Sequence, residues 1–296
     1  MKLRLLKDKA ASKIMLLITI FTGSIILLII LGLCYKSKSI LFTKPLSQLL
    51  FSSSWHPLKG EFGLFPFIIG TLLVTTIALI FAVPLCLLAS FFLSEYVNKK
   101  IQKGISSLID LLAGIPSIVY GIWGILIVVP VVKKIIAPFF NTTSTGYCLL
   151  SGAIILAIMI LPIIIQISVE VFKSVPIEAR ESSLALGATK WQTTKFVVFR
   201  KAIPGVFAAI ILGLSRALGE TMAVLMVVGN VAKIPKSIFK PAYPLTALIA
   251  NNYGEMLSIP LYDSALMFAA LILLLIVLLL NIFARAVLIK IERNIQ

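Results

Sequence analysis

Six apolar runs, each long enough to cross a bilayer, alternate with short polar connectors along the chain, at about 14–34, 64–94, 107–132, 147–171, 204–229 and 262–284. A helix rises 1.5 Å per residue, so about 20 apolar residues span the hydrocarbon core. Backbone polar groups find no water there and must bond within the segment. The pattern therefore predicts an all-α polytopic membrane protein with six transmembrane helices. The first run carries 21 residues without a charge, behind a basic start of Lys2, Arg4, Lys7, Lys9 and Lys13. A signal peptide has an apolar region of about 7–15 residues ending at a small-residue cleavage site. This run is longer and no such site follows it, which predicts an uncleaved first span. The second run, with Pro66 near its start and Pro84 inside it, is long enough to tilt or overhang the bilayer. The third holds Asp110 near its start and the glycine- and proline-rich stretch from Gly114 to Gly124. That stretch reads equally as a broken helix lining a path or as a packing notch.

Composition agrees with the pattern. The chain is 60% apolar, with mean hydropathy +1.10, against about 45–50% apolar for soluble domains. Its net charge of +16 does not point to nucleic acid, because the cations lie in short segments between apolar spans. Of the 27 Lys and Arg, 17 fall in the termini and the connectors after spans two and four. Nine fall in the connectors after spans one, three and five. The positive-inside rule then places both termini in the cytoplasm. Cys34, Cys86 and Cys148 have no metal-binding spacing, and His56 is the only histidine. No metal site and no catalytic residues are expected.

The fifth run is the exception to the apolar rule, since it contains Arg216 and Glu220. A charge at the centre of a membrane helix costs about 2.5–3.5 kcal/mol on insertion scales. In a continuous helix the two would share a face at i, i+4 and could pair. Gly205, Ala209, Gly213 and Ala217 form a small-residue row on the same helix, the pattern that lets membrane helices approach closely. The expectation is a tightly packed helix that turns Arg216 and Glu220 toward a translocation path. A pair that only fixes helix register is the alternative, although a buried pair adds little net stability.

The longest charged connector follows the fourth span. Pro176 suits the first turn of a helix, and Glu178 and Glu181 sit where acids favour the helix dipole. Gly187 can adopt positive φ and end that helix. A second short helix would carry Trp191, Phe196 and Phe199. The two make a compact knob on the cytoplasmic face, although composition alone also fits an amphipathic hairpin on anionic lipid.

The segment Glu181-Ser-Ser-x-x-x-Gly187 resembles the E-A-A-x-x-x-G loop of permeases from binding-protein-dependent ABC importers. Ser182 and Ser183 replace the two alanines, Val197 and Phe199 stand for the motif's aliphatic pair, and Arg200 stands where it has proline. Further stretches are similar to the phosphate permeases, PstC-type subunits in particular. They are Trp55-His-Pro with Phe62 to Thr71, Ala113 to Gly121, Ser174-Val-Pro176, Ala185 to Trp191, and Arg216-Ala-Leu-Gly-Glu220-Thr-Met-Ala-Val.

The resemblance implies the transmembrane domain of a type I ABC importer for inorganic phosphate, in a bacterial inner membrane. Residues 1–63 would hold the cytoplasmic N-terminus, first helix and external loop. Residues 64–288 would form the importer domain, with a coupling loop at about 172–203, and 289–296 a cytoplasmic tail. Glu181, Ala185, Gly187 and Trp191 would dock on the ATPase, and Arg216 and Glu220 would line the path. The implied partners are a PstA-like second permease subunit, a cytoplasmic ATPase dimer and an extracytoplasmic phosphate-binding protein. This chain has no G-x-x-x-x-G-K-[ST] loop, so ATP and Mg belong on the partner ATPase, and the chain is expected to be a transporter subunit without cofactor, not an enzyme. Another oxyanion such as sulfate, molybdate or phosphonate remains open as substrate. A stand-alone ion-coupled carrier and a non-transporting signalling subunit are the remaining readings.

Overall fold

The computed structural model describes residues 2–255 and 259–295. Six helical segments are long and apolar enough to cross a membrane: Ala11–Thr43, Phe65–Tyr96, Ser117–Phe139, Leu149–Lys173, Lys190–Gly219 and Tyr262–Ile291. The six runs read from hydropathy are all present. The sixth helix continues to Ile295, so the segment expected as a tail is helical as far as that residue.

The fourth span is the axis of the bundle and the most buried of the six. Its neighbours approach through small residues. A Cβ added at Gly213 would fall 2.6 Å from Ile164 Cδ1, and Gly205 backs directly onto the Val171 side chain. Ala209 and Ala217 of the same row are buried. Lipid tails are as apolar as leucine, so close van der Waals packing holds such helices together. The small-residue row on the fifth span thus packs on the fourth, as its spacing predicts. The second span packs along the same helix, with Val74, Ala78 and Ala82 in one buried cluster with Ala153, Leu156 and Ile160.

The first span is the least buried of the six and packs along the sixth. Its side chains are bare from Ile14 through much of its length, and only its far end enters the core, where Ile40 joins Leu49, Phe67 and Tyr262. The connector that follows is more ordered than its polar composition suggested. A short helix, Leu46–Phe51, precedes a two-stranded hairpin pairing Trp55 with Phe62 and His56 with Glu61. Gly60 turns that hairpin at φ +69°. The Trp55 ring meets Phe62 and Phe67 edge-on, with centroids 5.7 and 5.1 Å away. Edge-to-face contacts suit the aromatic quadrupole.

Two of the apolar runs are interrupted, the third as one of its two readings allowed and the fifth against the expectation of a continuous helix. The third run, read at about 107–132, is interrupted at 114–116, just before its crossing segment Ser117–Phe139. An amphipathic piece, Lys99–Ala113, ends at Gly114, and a new helix starts at Ser117 after Pro116 in extended conformation. Asp110 therefore lies on the first piece, where its carboxylate accepts a hydrogen bond from Gln166. The fifth is broken as well, at Gly219, and resumes as the short helix Met222–Val227. At its other end the expected separate short helix around Trp191 is absent. Residues from Lys190 run through a π-helical turn, Thr193–Val198, straight into the fifth span, with Pro204 inside the helix.

Candidate translocation path and coupling loop

The two breaks lie side by side against the fourth span. Gly124, just past the third-span break, packs on Ile155, while Asp110 before it reaches Gln166. On the fifth span Gly213 meets Ile164, and beyond the break Val224 and Val228 meet Gly152. The resumed helices touch each other, because Gly121 has no side chain to keep Ala223 and Met226 away. Residues at both breaks are uncovered, among them Gly114, Pro116, Arg216 and Gly219. Irregular backbone at membrane depth is tolerated where protein buries it or where it lines a water-filled cavity.

Arg216 and Glu220 do not form the i, i+4 pair that a continuous helix would have given. Glu220 is the C-cap residue, in extended conformation at φ −73° and ψ 128°. Its carboxylate turns forward instead. Oε1 accepts from the backbone N–H of Thr221 at 3.1 Å and of Ala223 at 3.4 Å. Those donors open the short helix Met222–Val227, and an acid there satisfies free N–H groups and the helix dipole. The Glu220 carbonyl accepts from Thr246 Oγ1 at 3.0 Å. Leu245, next to Thr246, donates its N–H to Thr71 Oγ1 at 2.9 Å. The break is therefore pinned to the second span through the helix Leu245–Asn252.

Among the described residues, no carboxylate lies within ion-pair distance of Arg216. The residue is exposed at the break. On the neighbouring third span, the Tyr120 hydroxyl donates to the Leu112 carbonyl at 2.8 Å across the break. Sequence reasoning missed Tyr120, since a lone tyrosine in an apolar run carries no signal. The arrangement presents a permanently charged, planar donor without a competing carboxylate, which suits an oxyanion.

The loop at the other end of the fifth span is built from local signals. Helix Ile177–Ala185 follows Pro176 and carries Glu178 in its first turn. It ends in a Schellman arrangement, with Ala188 N–H donating to Ser183 O at 3.2 Å and Gly187 N–H to Leu184 O at 2.9 Å. Gly187 has φ +83° and open space around it, so backbone conformation and not room demands glycine there. Thr189 and Gln192 then form a reciprocal capping box that starts the next helix. Glu181, Ala185, Gly187 and Trp191 are all exposed. Around them Ile177, Leu184 and Leu186 are also bare, Leu186 at 89% exposure. Exposed apolar side chains concentrated on one small knob mark an interaction surface.

A contact that the sequence did not disclose ties this loop to the bundle. Arg180 Nη2 donates to Glu95 Oε1 at 3.0 Å, and Nε donates to Oε2 at 3.3 Å. Eighty-five positions separate the partners, so no local pattern could reveal the pair.

Comparison with known proteins places this geometry. Residues 82–293 match the family described as binding-protein-dependent transport system inner membrane component. The chain is 39% identical to the phosphate transport system permease protein PstC of Mesorhizobium japonicum, over 82% of this chain and 78% of that protein. It is 36% identical to the Xylella fastidiosa protein of the same name, over 82% and 79%. A probable phosphate transport system permease protein PstC from Methanocaldococcus jannaschii is 33% identical over 94% and 93%. The fold is that of solved ABC importers. A bacterial transporter of the acidic polysaccharide alginate superposes with TM-score 0.62 at 17% identity, over 97% of this chain and 99% of that one. The MetNI methionine transporter superposes with TM-score 0.58 at 20% identity, over 75% and 93%. Six crossings, an exposed loop of the E-A-A-x-x-x-G kind and this breadth of similarity assign the chain to the binding-protein-dependent transport system inner membrane components, the multi-pass permease subunits of ABC importers.

Proposed function

We propose that this chain is one of two permease subunits in an ATP-driven importer of inorganic phosphate. The observation that carries the reading is its identity of 33–39% to PstC-named phosphate permeases from three organisms across four-fifths or more of its length. The site agrees with that substrate class, since Arg216 offers a guanidinium with no ion-pair partner among the described residues, at a helix break. In this reading Arg216 attracts the anion into the path. Glu220 shapes the path from the side, by capping the resumed helix, and leaves the arginine free.

The knob that carries Glu181, Ala185, Gly187 and Trp191 docks on a cytoplasmic ATPase dimer, which binds ATP and Mg. A PstA-like subunit covers the uncovered residues at the two breaks and completes the path. A phosphate-binding protein delivers its cargo at the opposite end. Both termini lie on the ATPase side, in line with the charge asymmetry of the connectors. Residues 64–288 then form the importer domain around a coupling segment at 172–203, preceded by the first helix and external loop in 1–63 and closed by 289–296. When the ATPases close, the coupling loop moves and the path switches between outward and inward access.

The test is uptake of labelled phosphate at low micromolar concentration by cells with and without this chain, in a background lacking other phosphate importers. Loss of uptake on deletion, with transport in the parent resistant to excess sulfate and molybdate, is the expected result. Unchanged uptake would remove phosphate as the substrate.

A further inference from the structure

The contact between Arg180 and Glu95 is more than a link between neighbours. Both carboxylate oxygens of Glu95 are engaged by the guanidinium. The same guanidinium donates to the Phe172 carbonyl at 2.6 Å and to the Val175 carbonyl, at the end of the fourth span. The side chains are 19% and 9% exposed. Desolvating such a pair consumes most of its Coulombic gain, so net stability is a weak reason for it. Bidentate geometry with every face of the guanidinium used fixes position instead.

A second contact reaches the same place from the other limb of the loop. Lys190 Nζ sits 4.8 Å from the centroid of the Tyr96 ring. The two limbs are joined by the Ser183 and Thr193 hydroxyls, 3.0 Å apart. Glu95 and Tyr96 lie in the π-helical turn Phe92–Tyr96 that closes the second span. Just above, Phe91 stacks on Phe172 with centroids 4.4 Å apart. At the far end of that span, Thr71 holds Leu245, and Thr246 holds the carbonyl of Glu220. One helix thus bears the coupling loop at one end and the fifth-span break at the other.

We propose that Arg180 and Glu95 are positioning residues forming a transmission clamp, which makes the second span follow the coupling loop and carries its displacement through Thr71 to the break at Glu220. The clamp rests on the reading that the loop docks on an ATPase. Without the clamp, the ATPase still binds and hydrolyses ATP, but its stroke no longer reaches the path.

The experiment uses the complete importer in liposomes and measures phosphate uptake, ATP hydrolysis and retained ATPase in the same preparation. Wild type is compared with Glu95→Gln, Glu95→Asp, Arg180→Gln and the Glu95→Gln/Arg180→Gln pair. Glu95→Gln should lower phosphate moved per ATP by about tenfold, within the range by which coupling residues act, with hydrolysis and retention unchanged. Glu95→Asp should recover part of the ratio. The double variant should be no worse than Arg180→Gln alone, because the two residues act as one unit. A wild-type ratio in Glu95→Gln, a parallel fall of uptake and hydrolysis, or losses that multiply in the double variant would each overturn the clamp. If Arg180→Gln fails to assemble, Glu95→Gln decides the matter, since it leaves the carbonyl bonds of Arg180 in place. Failure of the wild-type chain to retain the ATPase would instead refute the docking reading, and that result is visible before any variant is compared.

Discussion

The two helix breaks beside the fourth span are made in different ways. In the third span the break is written into the covalent structure. Pro116 has no N–H and disfavours helical geometry at Ile115, and Gly114 ends the preceding helix. In the fifth span the break at Gly219–Glu220 contains no proline. It is held by hydrogen bonds: the Glu220 carboxylate to two backbone N–H groups, and Thr246 to the Glu220 carbonyl. A proline opposes a continuous helix by about 3 kcal/mol, whereas each hydrogen bond contributes about 0.5–1.5 kcal/mol net. One break is a fixed feature and the other a conditional one, and the conditional one carries Arg216, which has no carboxylate within ion-pair distance among the described residues.

Substitutions sharpen that contrast when read as phosphate uptake per assembled importer. Among substitutions that act on the breaks themselves, the largest effect is expected from Pro116→Ala, which removes the roughly 3 kcal/mol bias against a continuous third helix. Uptake should fall by more than tenfold, with slowed amide exchange at residues 115–118 as the helix closes up. Unchanged uptake and exchange would mean that tertiary packing, not proline, makes the break. Next comes Glu220→Ala, which strips the cap from two N–H groups and costs about 1–3 kcal/mol. A fall in uptake of about tenfold is expected, whereas Glu220→Gln keeps an acceptor oxygen and should stay within about twofold of wild type. Equal losses in both would restore the ion-pair reading of Glu220. Thr246→Val lies between these two, at a few-fold loss for one hydrogen bond of about 1 kcal/mol. An effect as large as that of Glu220→Ala would show that Thr246 does more than hold a carbonyl.

The same contrast explains what the sequence discloses. Six apolar runs and the row Gly205, Ala209, Gly213 and Ala217 foretell the bundle and its tightest contact, because length and small-residue spacing are local properties. Gly187 and Pro176 likewise mark the loop's first helix from local chemistry. The third-span break is half legible, since its glycines and proline are visible but admit a packing notch. The fifth-span break is not legible. Gly219 and Glu220 look like two more residues of an amphipathic helix, and only Thr246, 26 positions away, reveals that the chain turns there. The Arg180–Glu95 contact is hidden for the same reason, being set by packing between distant segments. Reading Arg216 and Glu220 as a pair assumed a helix that long-range bonds interrupt.

The central claim is that a conditional break presents Arg216, which has no ion-pair partner among the described residues, to a passing anion. Its most direct test is ATP-dependent phosphate uptake by the complete importer in liposomes, with Arg216→Gln compared with wild type at equal ATPase content. The account predicts that Arg216→Gln assembles normally, retains its ATPase and moves essentially no phosphate. Phosphate uptake at the wild-type rate by Arg216→Gln would contradict it and leave the broken helices without their proposed ligand.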